Sequence, residues 1–134
     1  MVDRNFLEGN WQQARSFSPA VITRGGNIVW VAGHGAGTDE HGRPFSGDFA
    51  EQARQCFRNM RATLERAGAT LADLVTMTVF ITDARYGNEF VKIRGEFFEH
   101  GKWPASTLIT CAGLAQPTML VEIQGIAVID EYGG

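Results

Sequence analysis

Residues Met119 to Ile129 read MLVEIQGIAVI, and a strand over this run carries apolar side chains on both faces. Val121, Ile123 and Ala127 point one way; Leu120, Ile126 and Val128 point the other, beside Glu122 and Gln124. The run DLVTMTVFITD repeats the pattern, with Val75, Met77, Val79 and Ile81 opposing Leu74, Thr76, Thr78 and Phe80. Strands of this kind need cover on both sides. What the chain can fold into depends on how much cover it supplies.

The rest of the sequence supplies two helices. In DFAEQARQCFRNMRATLERAG, the residues Phe49, Ala53, Cys56, Met60, Leu64 and Ala67 recur at helical spacing. Asp48 and Glu51 predict a capping box with Asp as the cap, and Gly68 predicts the C-terminal stop. YGNEFVKIRGEFFEHG predicts the second helix, with Phe90, Ile93 and Phe97 on one stripe and Gly101 closing it. Ahead of both, AVITRGGNIVWVAG reads as two β-branched runs around a Gly-Gly turn, a hairpin signal, and a Gly-rich polar loop follows. WPASTLITCAGL, Trp103 to Leu114, alternates as a strand without a charged side chain.

The predicted order is β-β-α-β-α-β-β, an α+β fold in a single domain over residues 1–134. Two helices cover one face of its mixed sheet, and the other face is too apolar for water. Packing against further copies of the same chain meets that need, so a homo-oligomer is expected.

Composition narrows the partners. The net charge of −3 and pI near 5.6 offer no electrostatic footprint for nucleic acid or an anionic membrane. No apolar run approaches the length of a membrane span, and the N-terminus lacks the apolar core of a signal peptide. Cys56 and Cys111 are too few for a disulfide framework and, like His41 and His100, have no metal-ligand spacing. Free thiols fit a reducing compartment, so the expected location is cytoplasmic. GHGAG lacks the Lys-Ser/Thr ending of a phosphate loop.

The segments RSFSPAV, IVWVAGHGA, EQARQCFRNMRATLERAGATLADLVTMTVFITD, WPASTLI and LVEIQGIAVI resemble, in order and spacing, the RidA/YjgF family. That family is also called the L-PSP endoribonuclease or translation-inhibitor family, and the likeness runs from Phe17 to Ile129. It implies a chorismate-mutase-like fold, a trimeric barrel and ligand clefts between subunits. It also implies hydrolysis of imines or enamines to carbonyl compounds and ammonia, without metal or organic cofactor. The family Glu that positions water falls on Glu122, the aromatic position on Phe17 and the loop glycine on Gly33, followed by His34. The arginine that clamps the substrate carboxylate falls on Ser106, so standard 2-iminobutanoate deamination is not the expected activity. A helix Asn common in the family falls on Val91.

Each candidate has a structural alternative. Glu122 is either the carboxylate that activates water or an acid in a polar subunit contact. Ser106 and Thr107 read as pocket wall, since a nucleophilic serine needs a base and an orienting group that the sequence does not identify. His34 is either an acid-base group or a solvated loop histidine. Arg94, three residues after Val91, either reaches the cleft in place of the missing clamp or lies on an exposed helix surface; Arg15 is a similar case. The leading expectation is a homotrimeric, cofactor-free deaminase of a small imine or enamine. The alternative is a non-catalytic trimer that binds a metabolite or a partner. A ribonuclease reading rests on the older family name alone, and acidic charge opposes it.

Overall fold

The computed structural model describes residues 2–131. Its strands are β1 (Asp3–Phe6), β2 (Val21–Arg24), β3 (Asn27–Gly35), β4 (Leu74–Ile81), β5 (Ala105–Thr110) and β6 (Val121–Ile129); its helices are α1 (Phe49–Arg66) and α2 (Gly87–Phe97). Strands β3, β6, β4 and β5 form one sheet in that order. The β3/β6 and β6/β4 pairs are antiparallel and β4/β5 is parallel. A parallel pair needs a crossover, which α2 provides.

The predicted hairpin resolves differently. β2 does not pair with β3; it pairs antiparallel with β1, a strand the sequence reading had not assigned. Gly25 and Gly26 make this possible at φ 75° and 85°, where the chain turns out of the sheet. A Cβ on Gly26 would lie 2.4 Å from the Ile129 carbonyl oxygen, so the turn sits hard against the end of β6.

Helix α1 begins at the predicted place, with the Asp48 carboxylate accepting from the Glu51 N–H at 3.0 Å. Among the described residues the return bond from Glu51 is not made, so Asp48 caps alone. Gly68 follows the helix at φ 76°. α2 stops earlier than the spacing predicts. Phe98 is already extended, and Gly101 belongs to the next turn, where Lys102 N–H donates to the Glu99 carbonyl. The early stop brings Phe98 back onto Phe57, whose ring also stacks on Phe97 at 4.6 Å and Phe90 at 5.8 Å.

Both helices cover the same face. Met77, Val79, Ile81, Val121, Ile123 and Ala127 of the sheet are buried there with Cys56, Phe57, Met60, Leu64, Phe90 and Ile93. Leu74, expected on the opposite face, joins this core because the β4/β6 register shifts between Leu74 and Thr76. The other face is bare in the single chain: Trp30 is 73% exposed, and Ile28 and Ile109 are exposed with it. Among the described residues, no helix is long and apolar enough to cross a membrane.

Candidate functional site

Arg94 is the most deeply buried of the candidates, at 2% exposure, which overturns the favoured expectation of an exposed helix surface. It leaves α2 on the flank that carries Val91 and points at the middle of β4 and the start of β5, where Met77 and Ser106 are register partners. Nη1 donates to the Ser106 hydroxyl at 2.5 Å and approaches the Met77 sulfur at 3.8 Å. Nε donates to the Ser16 hydroxyl at 3.2 Å, and Nη2 to the Arg15 carbonyl at 3.0 Å. The rings of Phe17 and Phe90 flank the guanidinium, with centroids 5.6 and 5.2 Å from Cζ. No carboxylate pairs with it among the described residues. Burial, and then the nearby Arg15 charge, bring its pKa down to about 10, so it remains a cation at neutral pH.

Ser16 makes this arrangement possible. It has a φ of 58°, the one non-glycine value in the left-handed region among the described residues. Such a conformation costs roughly 1–3 kcal/mol and persists where the surroundings enforce it. Here it aims the Arg15 carbonyl, the Ser16 hydroxyl and the Phe17 ring at one guanidinium. The Ser16 hydroxyl also donates to the Val91 carbonyl at 2.8 Å, tying the segment to α2. Above Arg94 lies a cleft of about 460 Å³ walled by Trp11, Arg15, Phe17, Val91, Ser106 and Thr107. Sequence spacing had singled out neither Ser16 nor Trp11; no local signal marks a serine for a left-handed backbone.

Glu122 stands elsewhere. It projects from β6 on the bare face, with Gly35 and Phe80 as register partners. The β3/β6 ladder is irregular between Val31 and His34, which brings Gly33 under the carboxylate. A Cβ on Gly33 would lie 2.1 Å from Glu122 Oε1, so only glycine leaves the carboxylate in this position. Glu122 makes no hydrogen bond or ion pair among the described residues.

The two groups do not meet within one chain. Ser106 pairs with Met77 on the helix-covered face, whereas Glu122 pairs with Phe80 on the bare one. Two strand spacings and three residues separate their Cα atoms, about 14 Å by ordinary sheet geometry. His34 joins neither group. It sits opposite Ile123 and turns toward α1, where Nε2 is 2.7 Å from the Thr63 hydroxyl and Nδ1 is 2.7 Å from the Ala32 carbonyl. Since a carbonyl can only accept, Nδ1 carries a proton there. Gly33 and His34 border a separate, polar cleft of about 370 Å³ with Thr63 and Arg66. Among the described residues, no three His, Cys, Asp or Glu converge as metal ligands.

The family model described as Endoribonuclease L-PSP matches residues 10–129, nearly the whole chain. The chain belongs to this family, the RidA/YjgF family. A RutC family protein of Pyrococcus abyssi is 35% identical over 105 residues, covering 76% of this chain and 79% of that protein. The Rid-family protein YyfB from Yersinia pestis, itself of unknown function, superposes with a TM-score of 0.84 at 26% identity, covering 94% of this chain and 98% of its own. RidA from the Antarctic bacterium Psychrobacter superposes at 0.70 with 31% identity, over 85% of this chain and 89% of its own. These RidA/YjgF structures share the α+β fold, with two helices on a mixed sheet.

Proposed function

We propose that this chain is a cofactor-free hydrolase of small imines or enamines, working in the cytoplasm as a homotrimer with its active clefts between copies. The observation that carries this reading is Glu122: an unpartnered carboxylate, held over a glycine, on a sheet face that the chain leaves uncovered. A second copy seated on that face would bring its Phe17, Arg94, Ser106 and Thr107 toward Glu122 and Gly33 of the first.

The chemistry asks little of the protein, because a protonated imine is already electrophilic and needs mainly a positioned water. Glu122 takes a proton from water as the oxygen adds to the imine carbon, giving a carbinolamine. It returns that proton to the nitrogen, and the carbon–nitrogen bond breaks. Nitrogen leaves as ammonia while Glu122 takes the hydroxyl proton and the carbonyl product forms; the ammonia then takes up that proton as ammonium. His34 takes a supporting role: by holding the Ala32 carbonyl it fixes the backbone just ahead of Gly33.

One observation favours a binding-only reading: the Arg94 cleft is complete within one chain and lacks a general base. Ammonia release from imines generated in situ by an amino-acid oxidase separates the two. The deaminase reading expects acceleration by the unmodified protein and a loss of about 10²–10⁴-fold in Glu122→Gln, the range for a removed acid-base group. Equal rates for the two proteins would sink it.

A further inference from the structure

The cleft above Arg94 is lined by two arginines and no carboxylate, and the Arg15 charge is close enough to act on Arg94. Arg15 is half-buried at its mouth, where Nη1 donates to the Asn88 amide oxygen at 3.1 Å, a neutral partner. Arg94 lies behind it, hydrogen-bonded to neutral groups alone. Two like charges in a partly desolvated cleft repel each other, and an anion placed between them relieves that repulsion. Arg94 has five N–H donors, and one of the two on Nη2 has no partner among the described residues.

The walls describe the rest of the ligand. Trp11 and Phe17 meet edge to face at 5.6 Å, and Val91 and Leu108 continue the apolar lining. An inorganic anion would leave these surfaces wet, whereas a short carbon chain would cover them. The Ser106 hydroxyl, already accepting from Arg94, can donate its own proton to a carboxylate oxygen.

We propose that this cleft binds a small organic dianion, with one carboxylate on Arg94 and Ser106, the other on Arg15, and the carbon chain along Trp11 and Phe17. In its catalytic use the proposal rests on the deaminase reading: the imine hydrolysed is that of a dicarboxylic acid. The binding itself needs one chain.

Calorimetric titration with butanoate, succinate, glutarate and sulfate tests it. Succinate or glutarate is expected to bind at least about tenfold tighter than butanoate or sulfate, the scale of one charge-assisted hydrogen bond. Arg15→Gln, at a half-buried position, is expected to fold normally and bring the dicarboxylates down to the level of butanoate. Arg94→Lys should weaken every carboxylate about tenfold, since a point charge cannot reproduce the fork. The proposal is overturned if the unmodified protein binds none of the four, binds butanoate or sulfate as tightly as the dicarboxylates, or keeps its preference in Arg15→Gln. Failure to bind dicarboxylates would leave the deaminase reading standing with a monocarboxylate substrate. Absence of imine turnover would leave the titrations intact.

Discussion

The two faces of the four-stranded sheet are cut from the same alternating strands, yet they end in opposite conditions. Under the helices, residues such as Phe57, Val79 and Ile123 are fully buried, and even the Arg94 guanidinium has hydrogen-bond partners along the rim. On the reverse, Trp30 and Ile28 lie open and Glu122 has no partner among the described residues. One face is finished within the chain. The other is left open by the chain itself. The groups proposed to bind substrate and the proposed catalytic acid fall on different faces, so under that proposal assembly and activity depend on the same surface.

The sharpest way to break this contrast is to cut into the finished face. Phe57→Ala removes a ring stacked among Phe90, Phe97 and Phe98, and should cost about 3–5 kcal/mol in denaturant unfolding. On the unfinished face, Trp30→Ser should leave the circular dichroism of the chain unchanged and weaken self-association instead. Its expected scale is about 1.5–3 kcal/mol per chain, the burial of one large apolar side chain, read as dissociation by sedimentation velocity. If Trp30→Ser destabilised the single chain as much as Phe57→Ala does, the two faces would not differ in the way described.

The smallest effect lies in the cysteines. Burial, and secondarily the Glu122 charge across the sheet, push the Cys56 thiol up to about 12, whereas Cys111 is half-buried at the rim. At pH 8 a thiol reagent should label Cys111 and reach Cys56 only as the chain opens, which mass spectrometry of the labelled protein resolves. The sign of the pH effect follows from the raised value. The folded chain keeps the Cys56 proton where the unfolded chain releases it, so this contribution is full below about pH 9 and is lost as pH rises toward 12.

How much of this was legible beforehand depended on whether the determining contacts were local. α1 was readable because its apolar stripe, its Asp48 cap and Gly68 all lie within the helix or next to it. The uncovered face was readable because strand alternation is local too. The pairing of β2 with β1 was not, since β1 is four residues long and its partner is chosen by where Gly25 and Gly26 send the chain. The side taken by His34 hangs on one irregularity in a ladder with a strand almost ninety residues away. Arg94 was read first as an exposed helix arginine and only second as a stand-in for the missing clamp, from its spacing to Val91, a position supplied by the family resemblance. Its burial could not be read, because it needs Ser16, which lies 78 residues away, in a backbone conformation that serine seldom adopts.

The way Arg94 is held has a thermodynamic consequence. A free arginine side chain has about 2 kcal/mol of rotamer entropy, and a surface arginine surrenders much of it on capturing a ligand. Here Ser16, Ser106 and the Arg15 carbonyl take away that freedom when the chain folds. A carboxylate arriving in the cleft meets a guanidinium with little left to lose, and the reaching is left to Arg15. The two arginines then differ as receptors: ordering costs fall almost wholly on the outer one, and shortening or stiffening that side chain is the natural route to changing which anions the cleft prefers.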